Sequence, residues 1–185
     1  MGPRFAAFAS DTMPRLSCRP VIHIDIINEQ SRLPVDEARL REAVTGVLRE
    51  ASIANASISV AVVDDSTIHD LNRRFLTHDY PTDVLSFALD QSAAGLDGEI
   101  IVSADFAMAS APRYEWSAED ELLLYVIHGA LHLAGYDDHE PEDIVRMRAA
   151  ESRHLALAGV RAHREPQSVD SRARQKQVIG EGNRP

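Results

Sequence analysis

The sequence has little cysteine: Cys18 is the single one among 185 residues, so no disulfide can close within the chain. That excludes a small disulfide-stapled domain, and a lone thiol favours a reducing, cytoplasmic location. Long hydrophobic runs are also absent, because no stretch approaches the roughly 20 apolar residues that a membrane-spanning helix needs. Apolar residues make up 44% and charged residues 26% of the chain, which excludes a disordered or fibrous protein. The length predicts about one domain.

Positive charge is scarce too. The chain has 19 Lys and Arg against 29 Asp and Glu, a net charge of −10 at pH 7. Residues 21–160 hold 10 of the basic and 25 of the acidic groups, so the negative charge is concentrated there. An acidic body disfavours broad, nonspecific binding of duplex nucleic acid. A nucleic-acid site on this chain would need a local basic cleft or a metal ion.

Both ends of the chain lack hydrophobic periodicity. We predict a flexible tail over residues 1–20, whose apolar stretch 5–9 is shorter than the roughly 7–15 residues of a signal-peptide core. Met13 is a second candidate for the initiating residue. Residues 161–185 are rich in Arg, Gln, Ser and Gly, which predicts a disordered tail. Residues 21–160 are then expected to fold as a single domain.

Alternating and helical hydrophobic patterns predict the elements of this domain. Strands are expected at 21–28, 56–63, 83–89 and 98–103, with a loop over 91–97. Helices are expected at 35–51, 66–76, 104–111, 117–134 and 141–158, the last opening with a proline. Asp64 and Ser117 are suited to cap helices, and Gly135 is suited to end one. The order predicts an α+β fold, a small mixed sheet of about four strands with helices packed on it.

Two histidines stand four residues apart in the apolar helix predicted at 117–134. His128 and His132 therefore share one face of that helix, about 5–6 Å apart at Cβ. An unpaired imidazole in such an apolar helix would be costly to bury, which favours a metal ion as the common partner. Gly135 lets the chain reverse, so that His139 can return as a third ligand. Three neutral nitrogens with an open fourth position are typical of catalytic zinc, and the metal site is expected on this helix and the following loop.

Three neighbours of these histidines bear on the chemistry. Asp137 and Asp138 can accept the other ring N–H of a ligating histidine, or can cap the loop; the sequence leaves both open. The residue after His128 is Gly129, so the glutamate base of the His-Glu-x-x-His proteases is missing. Since glycine costs a helix about 1 kcal/mol relative to alanine, Gly129 indicates a close approach by substrate or by a neighbouring strand.

Three blocks of sequence carry a family resemblance. They are HGALHLAGYD at 128–137, DYPTDVLSF at 79–87 preceded by LN at 71–72, and GEIIVS at 98–103. Together they closely resemble the YbeY family of bacterial metal-dependent endoribonucleases, over about residues 21–158. Residues 142–143, Met147 and Glu151 fit the family as well.

The resemblance implies a function and a set of partners. It implies one zinc ion per chain on His128, His132 and His139, in a metal-dependent hydrolase domain. It further implies cleavage of single-stranded RNA at the 3′ end of small-subunit rRNA, and work in ribosome quality control. Ribosomal RNA is then the expected partner, joined by small-subunit proteins and a ribosome-associated GTPase. A zinc-bearing ribosome-assembly factor that does not cut, and a hydrolase of a peptide or small ester, remain as alternatives.

The chain departs from the family pattern at two places. Where the pattern reads Gly-Tyr-Asp-His, this chain reads Gly-Tyr-Asp-Asp-His, so His139 would be displaced by one residue through an insertion in the loop. Where the family has an arginine linked to activity, this chain has Leu76. Arg73 lies on the same side of the predicted helix as Leu76 and is the nearest substitute.

Further site residues follow from the requirements of phosphodiester cleavage. A cleft for RNA needs cations and donors, for which Arg73, Arg74, His78, Thr82 and Ser86 are the candidates. A general base is needed as well, and Asp83 and Asp137 are both left open for that role. The catalytic candidates are therefore Asp83, Asp137 and Arg73.

Overall fold

The computed structural model describes residues 21–92 and 95–160. The predicted tails, 1–20 and 161–185, lie outside the described residues, as does Cys18. The strands are β1 (Ile22–Asn28), β2 (Ala56–Val63), β3 (Val84–Ser92) and β4 (Gly95–Ser103). The helices are α1 (Glu37–Glu50), α2 (Asp65–Leu76), α3 (Ala104–Ser110), α4 (Ala118–Leu133) and α5 (Pro141–Leu157). A 3₁₀ helix (Ala111–Tyr114) follows α3.

The four strands form one mixed sheet in the order β1-β2-β4-β3. β1, β2 and β4 are parallel, and β3 pairs antiparallel with β4. This confirms the predicted α+β class and the predicted strand number. Helices α1 and α4 pack on one face of the sheet, and α5 packs on α4 and α1. No helix in the parts of the chain at 21–92 and 95–160 is long and apolar enough to cross a membrane.

The predicted loop at 91–97 is wrong. β3 continues to Ser92 and β4 begins at Gly95, so the two strands form a hairpin in which Gln91 pairs with Leu96. The polar run from Asp90 to Ser92 is exposed and has the composition of a loop. Backbone hydrogen bonds to β4 hold it in the ladder, and an edge strand tolerates polar side chains on both faces. Leu96, near the start of β4, is buried in the core, which holds this end of the strand in place.

The capping residues predicted from sequence hold their helix ends. The Asp64 carboxylate accepts from the Thr67 backbone N–H at the start of α2, and the Ser117 hydroxyl accepts from the Asp120 N–H at the start of α4. At the end of α4, Gly135 has φ of +93°, a left-handed conformation in which a side chain would be strained. The cap at Ser117 and the turn at Gly135 determine where α4 begins and ends. They therefore determine where along the helix the two histidines lie.

Helix α4 is buried almost all round and touches the sheet at a glycine. A Cβ on Gly129 would lie 2.8 Å from Cγ2 of Ile100 and 2.8 Å from Oγ of Ser86. The close approach expected at Gly129 is therefore made by strands β3 and β4. The contact presses the histidine-bearing turn of α4 against the sheet.

The opposite face of the sheet carries a smaller core under α2. Leu85 and Ile101 pack there with Ile68 and Leu76 of α2. Side chains alternate along a strand, so these residues point away from α4, toward which Val84, Ser86 and Ile100 point. Helix α2 and helix α4 consequently lie on opposite faces.

Replacing Gly129 with alanine should destabilise the fold. The added methyl would overlap packed strand side chains, at a cost of roughly 1–3 kcal/mol that exceeds the helix-propensity gain of about 1 kcal/mol. Urea unfolding measures the difference. Gly46→Ala in α1 is the matched control, since its Cβ would meet nothing closer than 3.8 Å, and it should leave stability equal or higher. Equal stability of Gly129→Ala and wild type would contradict the packing argument.

A second prediction concerns pH and His154 of α5. Burial lowers the pKa of His154 below its ordinary value of 6.5, although Glu50 lies 3.3 Å from its Nε2. Below pH 6.5 the unfolded chain therefore binds a proton that the folded chain resists, so stability falls as pH drops through this window. Each unit by which the pKa is depressed corresponds to about 1.4 kcal/mol. In chelator-treated protein, the free energy of unfolding of His154→Gln should fall less between pH 7 and 5 than that of wild type. The control is His23→Gln, at an exposed position of β1, which should follow wild type.

Candidate metal centre

The histidine pair is buried in the last turns of α4. His128 is 4% exposed and His132 is 5% exposed, and their rings meet edge to face with centroids 4.7 Å apart. Both imidazoles are thus held against each other inside an apolar helix. Burying two polar rings in this way requires that each ring nitrogen find a partner.

The outer nitrogens of both rings have acceptor partners. His128 Nδ1 is hydrogen-bonded to the Glu151 carboxylate of α5, and His132 Nδ1 lies 3.0 Å from the Tyr136 carbonyl oxygen. A carboxylate and a carbonyl can only accept, so each Nδ1 carries the hydrogen and donates it. This places the lone pair of each neutral ring on Nε2.

The two Nε2 atoms face one another and a carboxylate. They are 3.0 Å apart; Asp138 Oδ2 lies 3.5 Å from that of His128, and Asp138 Oδ1 lies 3.7 Å from that of His132. When both rings are neutral, the two Nε2 atoms and the two Asp138 oxygens can each donate an electron pair to a cation, and none of them carries a proton. Two ligands of a tetrahedral ion, each at about 2.1 Å, are about 3.4 Å apart, so the spacing fits a transition-metal ion.

The electrostatics keep His132 neutral. Burial, followed by the neighbouring His128, lowers the pKa of His132 to about 4. A neutral imidazole is the form that binds a metal ion. The group His128, His132 and Asp138 can therefore hold a metal ion.

His139 lies at the rim of this group. Its side chain is 67% exposed, and its Nδ1 is hydrogen-bonded to the Asp137 carboxylate. That contact raises the pKa of His139 and lowers the pKa of Asp137. Among the described residues, His139 groups with Asp137 and Asp138, not with the two buried rings. The assignment of His139 as third ligand stays a prediction.

The structure also locates the two aspartates of this loop relative to the rings. Asp138 presents its oxygens to the Nε2 side of the pair, and Asp137 presents its own to His139. The carboxylate that accepts a ring N–H from the buried pair is Glu151. Glu151 lies 23 residues from His128. The sequence pointed to it in two ways: it fits the family resemblance, and it is an acidic residue on the core-facing side of α5 between Met147 and Leu155.

Three predicted site residues at the start of β3 are buried. Thr82 and Ser86 are each 2% exposed and Asp83 is 4% exposed. Asp83 Oδ1 accepts from the Thr82 hydroxyl at 3.1 Å and from the Val84 N–H at 2.9 Å, so it organises the strand entry. Ser86 Oγ lies against Gly129 and has no hydrogen-bond partner among the described residues. The roles predicted for these three residues stay predictions.

The predicted cations lie on and after α2. Arg73 is exposed and pairs with Asp70 at 2.8 Å, and Arg74 lies 5.7 Å from the ring centroid of Phe75. His78 stacks on Tyr80, with centroids 5.4 Å apart. Because α2 covers the face opposite α4, the contacts among the described residues do not bring these cations to the histidine pair. Leu76, at the position of the family arginine, is buried in the core under α2.

Fold and site together define a class. This is an α+β protein whose most buried helix carries two imidazoles that meet a loop carboxylate, a donor set suited to a divalent metal ion.

Comparison with known proteins places it further. A family model described as Endoribonuclease YbeY matches residues 25–159. Endoribonuclease YbeY of Rhodopirellula baltica is 44% identical over 123 residues, which cover 61% of this chain and 63% of that protein. Endoribonuclease YbeY of Chlorobium phaeobacteroides is 38% identical over 129 residues, which cover 70% of this chain and 90% of that protein. The chain belongs to the YbeY family.

A solved structure agrees with this placement. The solution structure of TM1509 from Thermotoga maritima matches with a TM-score of 0.51 at 31% identity, over 73% of this chain and 88% of that one. The chain thus shares its fold with a solved structure to which it is also similar in sequence.

Replacing Glu151 with glutamine should weaken metal binding. The amide keeps the shape but no longer fixes His128 with Nδ1–H toward α5, and such partners of a ligating histidine are worth about 10–100-fold in affinity. Competition of Zn²⁺ against a fluorescent chelator measures the effect. Glu142→Gln, at an exposed position of the same helix, is the control. Unchanged affinity in Glu151→Gln would show that this carboxylate does not orient the ring.

Proposed function

We propose that this protein is a metal-dependent endoribonuclease that cuts single-stranded RNA in rRNA maturation. The substrate proposed is the 3′ end of small-subunit rRNA, with a further role in ribosome quality control in the cytoplasm. Zinc is the proposed ion, one per chain. The observation that carries this proposal is the convergence of two lone-pair nitrogens and a carboxylate, 3.0–3.7 Å apart, in a chain of the YbeY family.

The proposed chemistry has one contribution from the ion. A bound divalent metal polarises a phosphoryl oxygen and lowers the pKa of a water molecule toward about 7. His128 and His132 would hold it from α4, with a third ligand from the loop at 137–139.

The chain's own residues would hold this site in one geometry. Glu151 accepts the Nδ1–H of His128 and the Tyr136 carbonyl accepts that of His132, so both rings are oriented before any ligand arrives. Gly129 keeps the helix tight on the sheet, which limits movement of the pair. Such orientation of the ligands supports catalysis because little reorganisation is left for the reacting state.

Of the two proposed bases, Asp137 is the more accessible. Asp83 is 4% exposed and its Oδ1 accepts two hydrogen bonds, whereas the Asp137 side chain is 54% exposed at the rim. A base must reach a proton of the bound reactants, which favours Asp137. The exposure of Asp137 at the rim therefore supports Asp137 as the base.

RNA contacts are proposed for the cations on α2. Arg73 and Arg74 are exposed, and Phe75 beside them is 54% exposed, so this helix offers charge and an aromatic surface for bases. His78, Thr82 and Ser86 complete the proposed set; ribosomal RNA is the proposed partner, together with small-subunit proteins and a ribosome-associated GTPase. The acidic body restricts binding to such local contacts.

A single-turnover assay tests the proposal. A labelled single-stranded RNA matching the 3′ end of small-subunit rRNA would be incubated with Zn²⁺-loaded protein, chelator-treated protein and the double variant His128→Ala/His132→Ala. We expect cutting by the loaded wild type and a loss of at least about 100-fold in the other two, since both lack the ion. The matched control is His154→Gln, which changes a buried histidine of α5 outside the metal centre and should cut like wild type.

Two other outcomes would contradict it. Equal cutting by all preparations would reveal a contaminating nuclease. Binding of the RNA by zinc-loaded protein without cutting would favour the non-cleaving assembly factor, and turnover of peptides or small esters instead would favour a hydrolase of another class.

A further inference from the structure

We propose that Asp138, and not His139, is the third metal ligand, which makes the site a set of two imidazoles and one carboxylate. The inference rests on the proposed function insofar as that function requires a metal ion. It concerns which side chain of this chain completes the set.

Position is the first argument. Asp138 brings one oxygen to 3.5 Å from His128 Nε2 and the other to 3.7 Å from His132 Nε2. Two ring nitrogens and two carboxylate oxygens that face one another form a donor set that a divalent cation can complete. The Asp138 side chain is 18% exposed, so water only partly solvates this carboxylate.

His139 lies at the rim, away from the two buried rings. Its Nδ1 is bonded to Asp137, and its side chain, 67% exposed, stands in solvent. Among the described residues, its ligand atoms group with those of Asp137 and Asp138 and not with the two buried rings. To ligate through Nε2, the His139 ring would have to turn from solvent into the place that Asp138 occupies beside the pair.

The order of residues agrees with the geometry. Asp138 follows the turn at Gly135, whose φ is +93°, by three residues. This short turn is enough to bring the Asp138 carboxylate back to the histidine pair at the end of α4. His139 then becomes the first residue after the ligand, at the rim.

The donor set has a chemical consequence. A carboxylate adds one negative charge to the site and is a harder ligand than imidazole. Two histidines and one carboxylate accept Zn²⁺ but also suit Mn²⁺ and Fe²⁺ better than three histidines do. The Zn²⁺-to-Mn²⁺ affinity ratio should therefore be smaller here than in a variant with three histidines.

A matched pair of variants tests the assignment in the untagged full-length chain. Asp138→Asn removes the charge at the proposed ligand, and His139→Gln removes the imidazole at the rim. We expect the Zn²⁺ dissociation constant, measured by chelator competition, to rise at least about tenfold in Asp138→Asn and less than about threefold in His139→Gln. Asp138→His should bind Zn²⁺ and show a larger Zn²⁺-to-Mn²⁺ affinity ratio than wild type.

X-ray absorption at the zinc edge supplies a readout that does not depend on activity. We expect two imidazoles per zinc in both wild type and His139→Gln. Three imidazoles in wild type, falling to two in His139→Gln with weaker binding, would overturn the inference and leave the proposed function intact. Wild type that binds no Zn²⁺ would instead overturn the proposed function, and this inference with it.

Discussion

The structure depends on the burial of two imidazoles at the end of one helix. His128 and His132 are nearly inaccessible, yet their Nε2 atoms are 3.0 Å apart and carry lone pairs, because Glu151 and the Tyr136 carbonyl take both Nδ1 hydrogens. An arrangement of like donors is unfavourable until a cation joins it. The surrounding packing holds the rings in this arrangement, which binding of a cation would stabilise.

Much of the fold serves to hold that arrangement. Gly129 lets α4 lie directly on β3 and β4, Gly135 turns the chain back toward the pair, and α5 returns to place Glu151 against His128. The pair Arg153–Glu50 ties α5 to α1, so the helix that orients His128 is fastened at a second point. Apart from the turn at Gly135, these contacts join parts of the chain that lie far apart in sequence.

The distribution of charge limits how RNA can be held. The body is acidic, and the group that could hold a metal ion includes a further carboxylate, Asp138. The negative field of the body would repel a polyanion such as RNA. Affinity for RNA would therefore have to come from local contacts and from a bound ion. The exposed arginines of α2 lie on the other face of the sheet from α4, and Leu76 is buried in the core under α2. An RNA that uses both would have to pass around the edge of the sheet.

The sequence by itself determined the kinds of element and the histidine pair. Periods of 2 and 3.6 residues reveal strands and helices, and spacing within one helix fixes that His128 and His132 share a face, because local geometry depends on near neighbours alone. The cap at Ser117 and the stop at Gly135 are local in the same sense. The hairpin through Ser92 and Gly95 escaped prediction because its polar side chains have the composition of a loop while its backbone pairs across strands. Only the tertiary structure decided that Glu151 meets His128, that Arg73 lies away from α4, and that Asp138 rather than His139 faces the pair. Those contacts depend on how the helices pack and on how the loop at 137–139 turns. Neither is reflected in a local sequence pattern.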